Sequence, residues 1–278
     1  MRNFRNRRVL VTGSAQGIGR LMAERFGRLG AAIVLVDNQG DKVEQTAAEM
    51  RAAGLQATAF VCDVTDARAI LDLKRRVHED GGPIHVLVNN AGVVFGGAFL
   101  ETPLERHMLT YAVNVTGLVA VTHAFLGDLV AAEEGHLVTI ASASGLVGLP
   151  FGSTYASSKW AALGFSESIR LELSQLGHKH VHVTTVCPSY INTGMFHGVK
   201  APSLTRILEP DELADQVIRA VQRNRVFLLT PFMVRAVPLL NALLPQRLVD
   251  WLHWTTGTAQ SMVAWRGHEG DKETRKAG

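Results

Sequence analysis

From residue 8 to about residue 190 the chain repeats one pattern, a short β-branched run followed by a stretch of helical length. The runs are Arg8 to Thr12, Ala32 to Asp37, Ala57 to Cys62, Ile84 to Asn89, His136 to Ala141 and Val181 to Val186. A seventh, Arg225 to Thr230, follows a helix-like stretch from Pro210 to Arg223. Strands joined by crossovers of that length lie side by side as parallel neighbours. The runs are apolar almost throughout rather than alternating, so both faces of the sheet must be covered. The pattern predicts an α/β fold, a doubly wound parallel sheet of about seven strands with helices on both faces.

At 278 residues, 47% hydrophobic and 19% charged, the chain can bury a large core and is too apolar for disorder. That length allows one enlarged domain or two. No low-complexity linker or internal repeat divides it, so a single domain over 1–278 is expected. Its core would span about 5–230, an apolar helical extension 231–266, and a polar, mobile tail 267–278. The net charge of +3 sits partly in the ends, at Arg2, Arg5, Arg7 and Arg8 and at Lys272, Arg275 and Lys276. That is too little to argue for nucleic acid. The two cysteines, Cys62 and Cys187, lie in separate apolar runs, which suggests neither a metal site nor a redox pair and fits a reducing, cytoplasmic setting. No signal-peptide pattern and no uninterrupted apolar run of about 20 residues is seen.

Directly after the first run comes Gly13-Ser14-Ala15-Gln16-Gly17-Ile18-Gly19, opening a helix. Glycines there let the backbone turn tightly and approach a pyrophosphate, whose charge the helix N-terminus favours. This is the phosphate turn of a Rossmann-type sheet, although the spacing G-x-x-x-G-x-G departs from the dinucleotide pattern G-x-G-x-x-G. Asp37 ends the second run about 20 residues on, where an acid can bond the adenosine ribose hydroxyls and would repel a 2′-phosphate. With Gln16 in the loop and Asn38 after the acid, NAD(H) is favoured over NADP(H). Asp63, followed by Val64, closes the third run and is placed for the adenine edge or as a turn acid.

Tyr155 and Lys159 are four apart in a helical stretch and share one face. A tyrosine with an ordinary pKa of about 10 would be drawn toward its phenolate by that ammonium together with a positive nicotinamide. Ser142 lies thirteen residues upstream at the end of the fifth run. Asn89-Asn90-Ala91-Gly92 ends the fourth, and Asn114 sits in Val113-Asn114-Val115-Thr116-Gly117. All of these belong to the carboxyl ends of a parallel sheet, where such folds bind ligands.

In type, order and spacing these motifs resemble the short-chain dehydrogenase/reductase superfamily over roughly residues 5 to 195. The resemblance implies a tetrad. Tyr155 would be the general acid/base, Ser142 would orient the substrate oxygen, Lys159 would hold the nicotinamide ribose, and Asn114 would place a water in the proton relay. It also implies a homodimer or homotetramer formed through the helix carrying Tyr155. Pro188-Ser189-Tyr190-Ile191-Asn192-Thr193 departs from the family, which usually has Pro-Gly there. Pro188, Ile191 and Thr193 still match positions on the nicotinamide side, while Tyr190 adds an aromatic beside the pocket. Leu146 to Thr154 resembles the 17β-hydroxysteroid and retinol dehydrogenase branch, where this stretch lines the substrate site. Lys200 to Arg206 corresponds to a substrate lid.

His178, His180 and His182 alternate but have no carboxylate or cysteine woven between them, so no metal is expected. Asn114-Val115-Thr116 reads as a glycosylation sequon but is better explained as catalytic. The stretch from Pro231 to Trp265 is rich in Leu, Val, Phe and Trp, yet broken by Pro238, Pro245, Arg235 and Arg247. It reads as short helices that cover the pocket, form a subunit interface, or make peripheral membrane contact. Each of these suits a small apolar substrate. The expected activity is NAD-dependent interconversion of a secondary or allylic alcohol and its carbonyl. The alternatives are a carbonyl reductase working mainly in reverse and a non-catalytic nucleotide sensor or scaffold.

Overall fold

The structure is a computed structural model that describes residues 1, 3–203 and 205–267. The tail, apart from Gly267, lies outside the described residues. Seven strands form one parallel sheet: β1 (Arg8–Thr12), β2 (Ala32–Asp37), β3 (Ala57–Val61), β4 (Val86–Asn89), β5 (Gly135–Ile140), β6 (Val181–Pro188) and β7 (Phe227–Thr230). Their order is β3-β2-β1-β4-β5-β6-β7. The chain therefore reverses its winding between β1 and β4, and a crevice opens at the carboxyl ends of that pair.

Helices α1 (Gly17–Arg28), α2 (Gly40–Ala52), α3 (Ala67–Gly81), α4 (Leu104–Tyr111), α5 (Leu118–Ala131), α6 (Ser153–Gln175) and α7 (Pro210–Gln222) join the strands. Side chains alternate across the sheet as the two-residue period demands. Val9, Val11, Ile33 and Leu35 pack with Phe26 of α1, Ala47 of α2 and Val217 of α7. Leu10, Val34, Val36 and Leu87 pack on the opposite face with Leu73 of α3, Phe125 of α5 and Leu173 of α6. Each such fully buried side chain contributes about 1.5–3 kcal/mol, which is why the strands read as continuous apolar runs.

Two strands start later than the sequence reading, each beside a polar contact. Ile84 gives its amide to the Asp128 carboxylate at 3.1 Å, so β4 begins at Val86. Arg225 gives its amide to Ala220 O at 2.9 Å, closing α7, and β7 starts at Phe227. The stretch Leu104–Ala131 is long and apolar enough to cross a membrane by length and composition only. Here α5 is core, with Val121, Phe125 and Leu129 buried. After β7 the extension forms a short 3₁₀ turn Phe232–Ala236, α8 (Val237–Leu243), α9 (Gln246–Thr255) and a last turn Thr258–Gln260. Pro238 and Pro245 stand at the starts of these helices and keep them short.

Candidate active site

The glycine loop is held by contacts that only glycine permits. Gly13 has φ +64°, and a Cβ there would lie 2.8 Å from Ala91 Cα; at Gly19 it would lie 2.1 Å from Gly13 O. Asn90 donates its side-chain amide to Thr12 O and Gly13 O at 3.0 and 2.9 Å, and Thr12 Oγ1 accepts from the amides of Asn90 and Ala91. The loop and the end of β4 are thus one unit. Gln16, the N-cap of α1, makes no side-chain capping bond, so the first-turn amides at Gly17, Ile18 and Gly19 are uncapped. In α3, by contrast, Asp66 accepts from the amides of Arg68 and Ala69. Uncapped amides on a glycine turn fit a pyrophosphate.

Asp37 is buried at the end of β2, taking the Ala15 amide on Oδ2 and the Gln39 amide on Oδ1, both at 3.0 Å. It joins the loop to β2 at the adenosine end of the crevice. Ser14 turns away from the crevice, its hydroxyl taking the Val36 amide at 2.9 Å. Asp63 is exposed and caps its own turn through the Thr65 amide and hydroxyl. Val64 is buried beneath Gly117. A cation missed from sequence also stands here: Lys42 of α2 donates to Gln39 Oε1 at 2.7 Å and to Gln16 Oε1 at 3.4 Å. It lies three residues beyond Gln39, outside both the glycine loop and the residue after Asp37, and helix spacing brings it back to them.

Asn114 lies in a π-helical turn, Ala112–Gly117, between α4 and α5. Such a turn holds one extra residue and is frequent at functional sites. The Asn114 side chain accepts from the Val93 amide at 2.9 Å and donates to Val93 O and Ser158 Oγ, both at 3.0 Å. Ser158 in turn donates to Tyr155 O at 2.7 Å. Gly92 leaves room beside this group, since a Cβ there would be 3.3 Å from Asn114 Oδ1 and 3.5 Å from Lys159 Nζ.

Lys159 donates to Ile140 O at 2.9 Å and its Nζ lies 5.7 Å from the centre of the Tyr155 ring. Burial lowers its pKa to about 8. Ser142 Oγ accepts from both the amide and the hydroxyl of Ser144, at 3.1 and 2.9 Å, which directs its own proton toward Tyr155. Burial drives the Tyr155 phenol upward, partly offset by its hydrogen bond with Ser142.

Asn114, Ser142, Tyr155 and Lys159 are all less than a tenth exposed. Tyr155 packs in an apolar cluster with Val94, Leu149, Val199 and Met262, against which Tyr190, Phe196 and Trp265 lean. Phe196 meets the Tyr155 ring edge-on at 5.9 Å. The Tyr190 hydroxyl reaches Ser261 at 2.7 Å, and Trp265 Nε1 donates to Met195 O at 3.1 Å. Backbone bonds from Lys200 to Ser261, Ser203 to Thr256 and Arg266 to His197 complete a strap between the two covering segments. Pro188 is buried at the end of β6, Ile191 bridges to Leu208, and Thr193 follows at the rim.

A family model described as short chain dehydrogenase matches residues 7–203. Estradiol 17-beta-dehydrogenase 11 of Rattus norvegicus is 37% identical over 246 residues, covering 88% of this chain and 82% of its own. Epidermal retinol dehydrogenase 2 of Homo sapiens is 36% identical over 240 residues, covering 85% and 78%. The crystal structure of a short chain dehydrogenase/reductase from Burkholderia phymatum, solved in complex with NAD, superposes with a TM-score of 0.79 at 24% identity, covering 90% of this chain and 96% of that one, and so shares the fold. These likenesses settle the family: the chain is a short-chain dehydrogenase/reductase of the branch that includes 17β-hydroxysteroid and retinol dehydrogenases.

Proposed function

We propose that the protein interconverts a secondary or allylic alcohol and its carbonyl on a bulky apolar molecule, with NAD(H) as hydride carrier and Tyr155 as general acid/base. The observation that carries this reading is the convergence of Asn114, Ser142, Tyr155 and Lys159 beside a glycine turn with uncapped amides. The loop amides and Asp37 would hold the cofactor, which supplies the hydride-accepting carbon when bound. Asp37 supports NAD(H), because its carboxylate would oppose a 2′-phosphate. Lys42 is the counterweight at that end, already shared between two glutamines.

In the oxidising direction the Ser142 hydroxyl, turned from Tyr155, would hydrogen-bond the substrate oxygen and fix its position. Tyr155 Oη, within reach of Ser142, takes the hydroxyl proton. For that Tyr155 must start as the phenolate, whose cost Lys159 lowers; having taken the proton it is a neutral phenol, and the Asn114 side chain anchors the polar path on which the proton leaves to restore the phenolate. The apolar cover over Tyr155 supports an apolar substrate, since a polar one would leave its groups unpaired against Phe196, Val199 and Met262.

The test is NADH absorbance with a panel of aliphatic, steroid and retinoid alcohols. Tyr155→Phe is expected to lower turnover about a hundred- to ten-thousandfold. Unchanged turnover in that variant rejects the tetrad, and a clear preference for NADPH in the same assay rejects the role of Asp37.

A further inference from the structure

Beside β7, on ground the catalytic reading does not use, five arginines surround one cavity of about 480 Å³. They come from separate parts of the fold. Arg206 lies in the loop before α7, and Arg219 and Arg223 belong to the carboxyl end of that helix. Arg225 leads into β7, and Arg235 sits in the 3₁₀ turn after it. Arg206 pairs with Glu212; the other four make no salt bridge among the described residues. The dipole of α7 favours cations at its end, which accounts for Arg219 and Arg223. It does not account for Arg225 and Arg235, or for Arg206 with its Glu212 partner, lining the same space, where like charges repel. An anion with several oxygens relieves that repulsion, and the guanidinium fork matches phosphate in two-point contact.

The rim of this cavity is apolar. Phe232, which lines it, is 74% exposed, and its ring carries the Arg235 guanidinium 5.5 Å from its centre. On α8, directly following in the chain, Leu239 and Leu243 are 60% and 71% exposed. A free phosphate would use the arginines and leave these side chains in water. A lipid surface uses both, because apolar side chains enter the acyl boundary while cations stay at headgroup depth.

We propose that the cavity binds the phosphate of an anionic phospholipid headgroup, with Phe232 and the exposed side of α8 set into the bilayer surface. This proposal stands independently of the oxidoreductase reading. The full-length protein is to be floated with vesicles of phosphatidylcholine alone and of phosphatidylcholine with phosphatidylserine. Binding is expected only with the anionic lipid, falling as salt is raised. Arg223→Glu with Arg225→Glu is expected to weaken it by roughly tenfold or more, and Arg235→Glu and Phe232→Ser to weaken it separately. The far-UV circular dichroism and thermal midpoint of the arginine variants should match the parent, which shows that they fold. Equal binding to neutral vesicles, or charge reversal without effect, overturns the proposal. So does calorimetric binding of inorganic phosphate by a protein that floats with neither vesicle.

Discussion

At the scale of single residues, the site is governed by what burial does to charge. Lys159 keeps only a carbonyl partner in a buried position, and its pKa falls from the ordinary 10.5 to about 8. Between those values the unfolded chain holds a proton on this lysine that the folded chain has released, so folding gains stability as pH rises through that window. Below about 8 both forms are protonated and the cost of the buried charge is felt in full. Thermal unfolding of the cofactor-free protein against Lys159→Met, followed from pH 8 to 10.5, is expected to show the parent gaining on the variant. A parent that loses ground across that range contradicts the assignment. Tyr155 and Lys159 were legible as a pair because they are one helical turn apart, and Ser142 because it follows a strand, whereas Asn114, expected at a strand end, lies in the π turn between α4 and α5. Ser144, a second serine two residues on, stands behind Ser142 as a donor. Only the geometry of the turn after β5 distinguishes the two roles.

At the scale of elements, the π turn between α4 and α5 is the least regular piece of backbone near the site and among the most exacting. Gly117 closes it against Val64, whose carbonyl and Cγ2 would each lie 2.9 Å from an added Cβ. Gly117→Ala is expected to cost about 1–3 kcal/mol of stability by overpacking, read from the shift of a denaturant midpoint. Because Asn114 shares that turn, the same change should also slow turnover. No shift in either quantity would mean that the turn yields without cost. The sequence showed the strands well, since burial on both faces leaves a continuous apolar run, and it showed α7 through Pro210 and its acidic first turn. It could not show the π turn, because one extra residue breaks the 3.6-residue period without any distinctive composition. The first helix was announced by its glycines, while the missing cap at Gln16 became visible only in the backbone.

At the scale of the whole molecule, the reversal of winding between β1 and β4 places the phosphate turn, Asn90 and the tetrad along one edge of the sheet. That much follows from strand order. The cover does not, because Trp265 meets Met195 across 70 residues and Tyr190 meets Ser261 across 71. Such meetings depend on where the chain returns after β7, which no local pattern encodes. The apolar surplus after residue 230 announced that something would be covered. It did not reveal that the first part of the extension would remain outside, beside the arginines, while its last residues lie over Tyr155. The five hydrogen bonds of the strap join the 190–203 segment to the 256–266 segment, so the two should open as one plate, displacing solvent over its full breadth. The catalytic cycle would then keep time by a hinged door rather than by bond-making. With a well-fitting alcohol, added sucrose should slow turnover in proportion to solvent viscosity, whereas a poor substrate, limited by chemistry, should be indifferent to it. Indifference with both would mean that the plate is never the slow step.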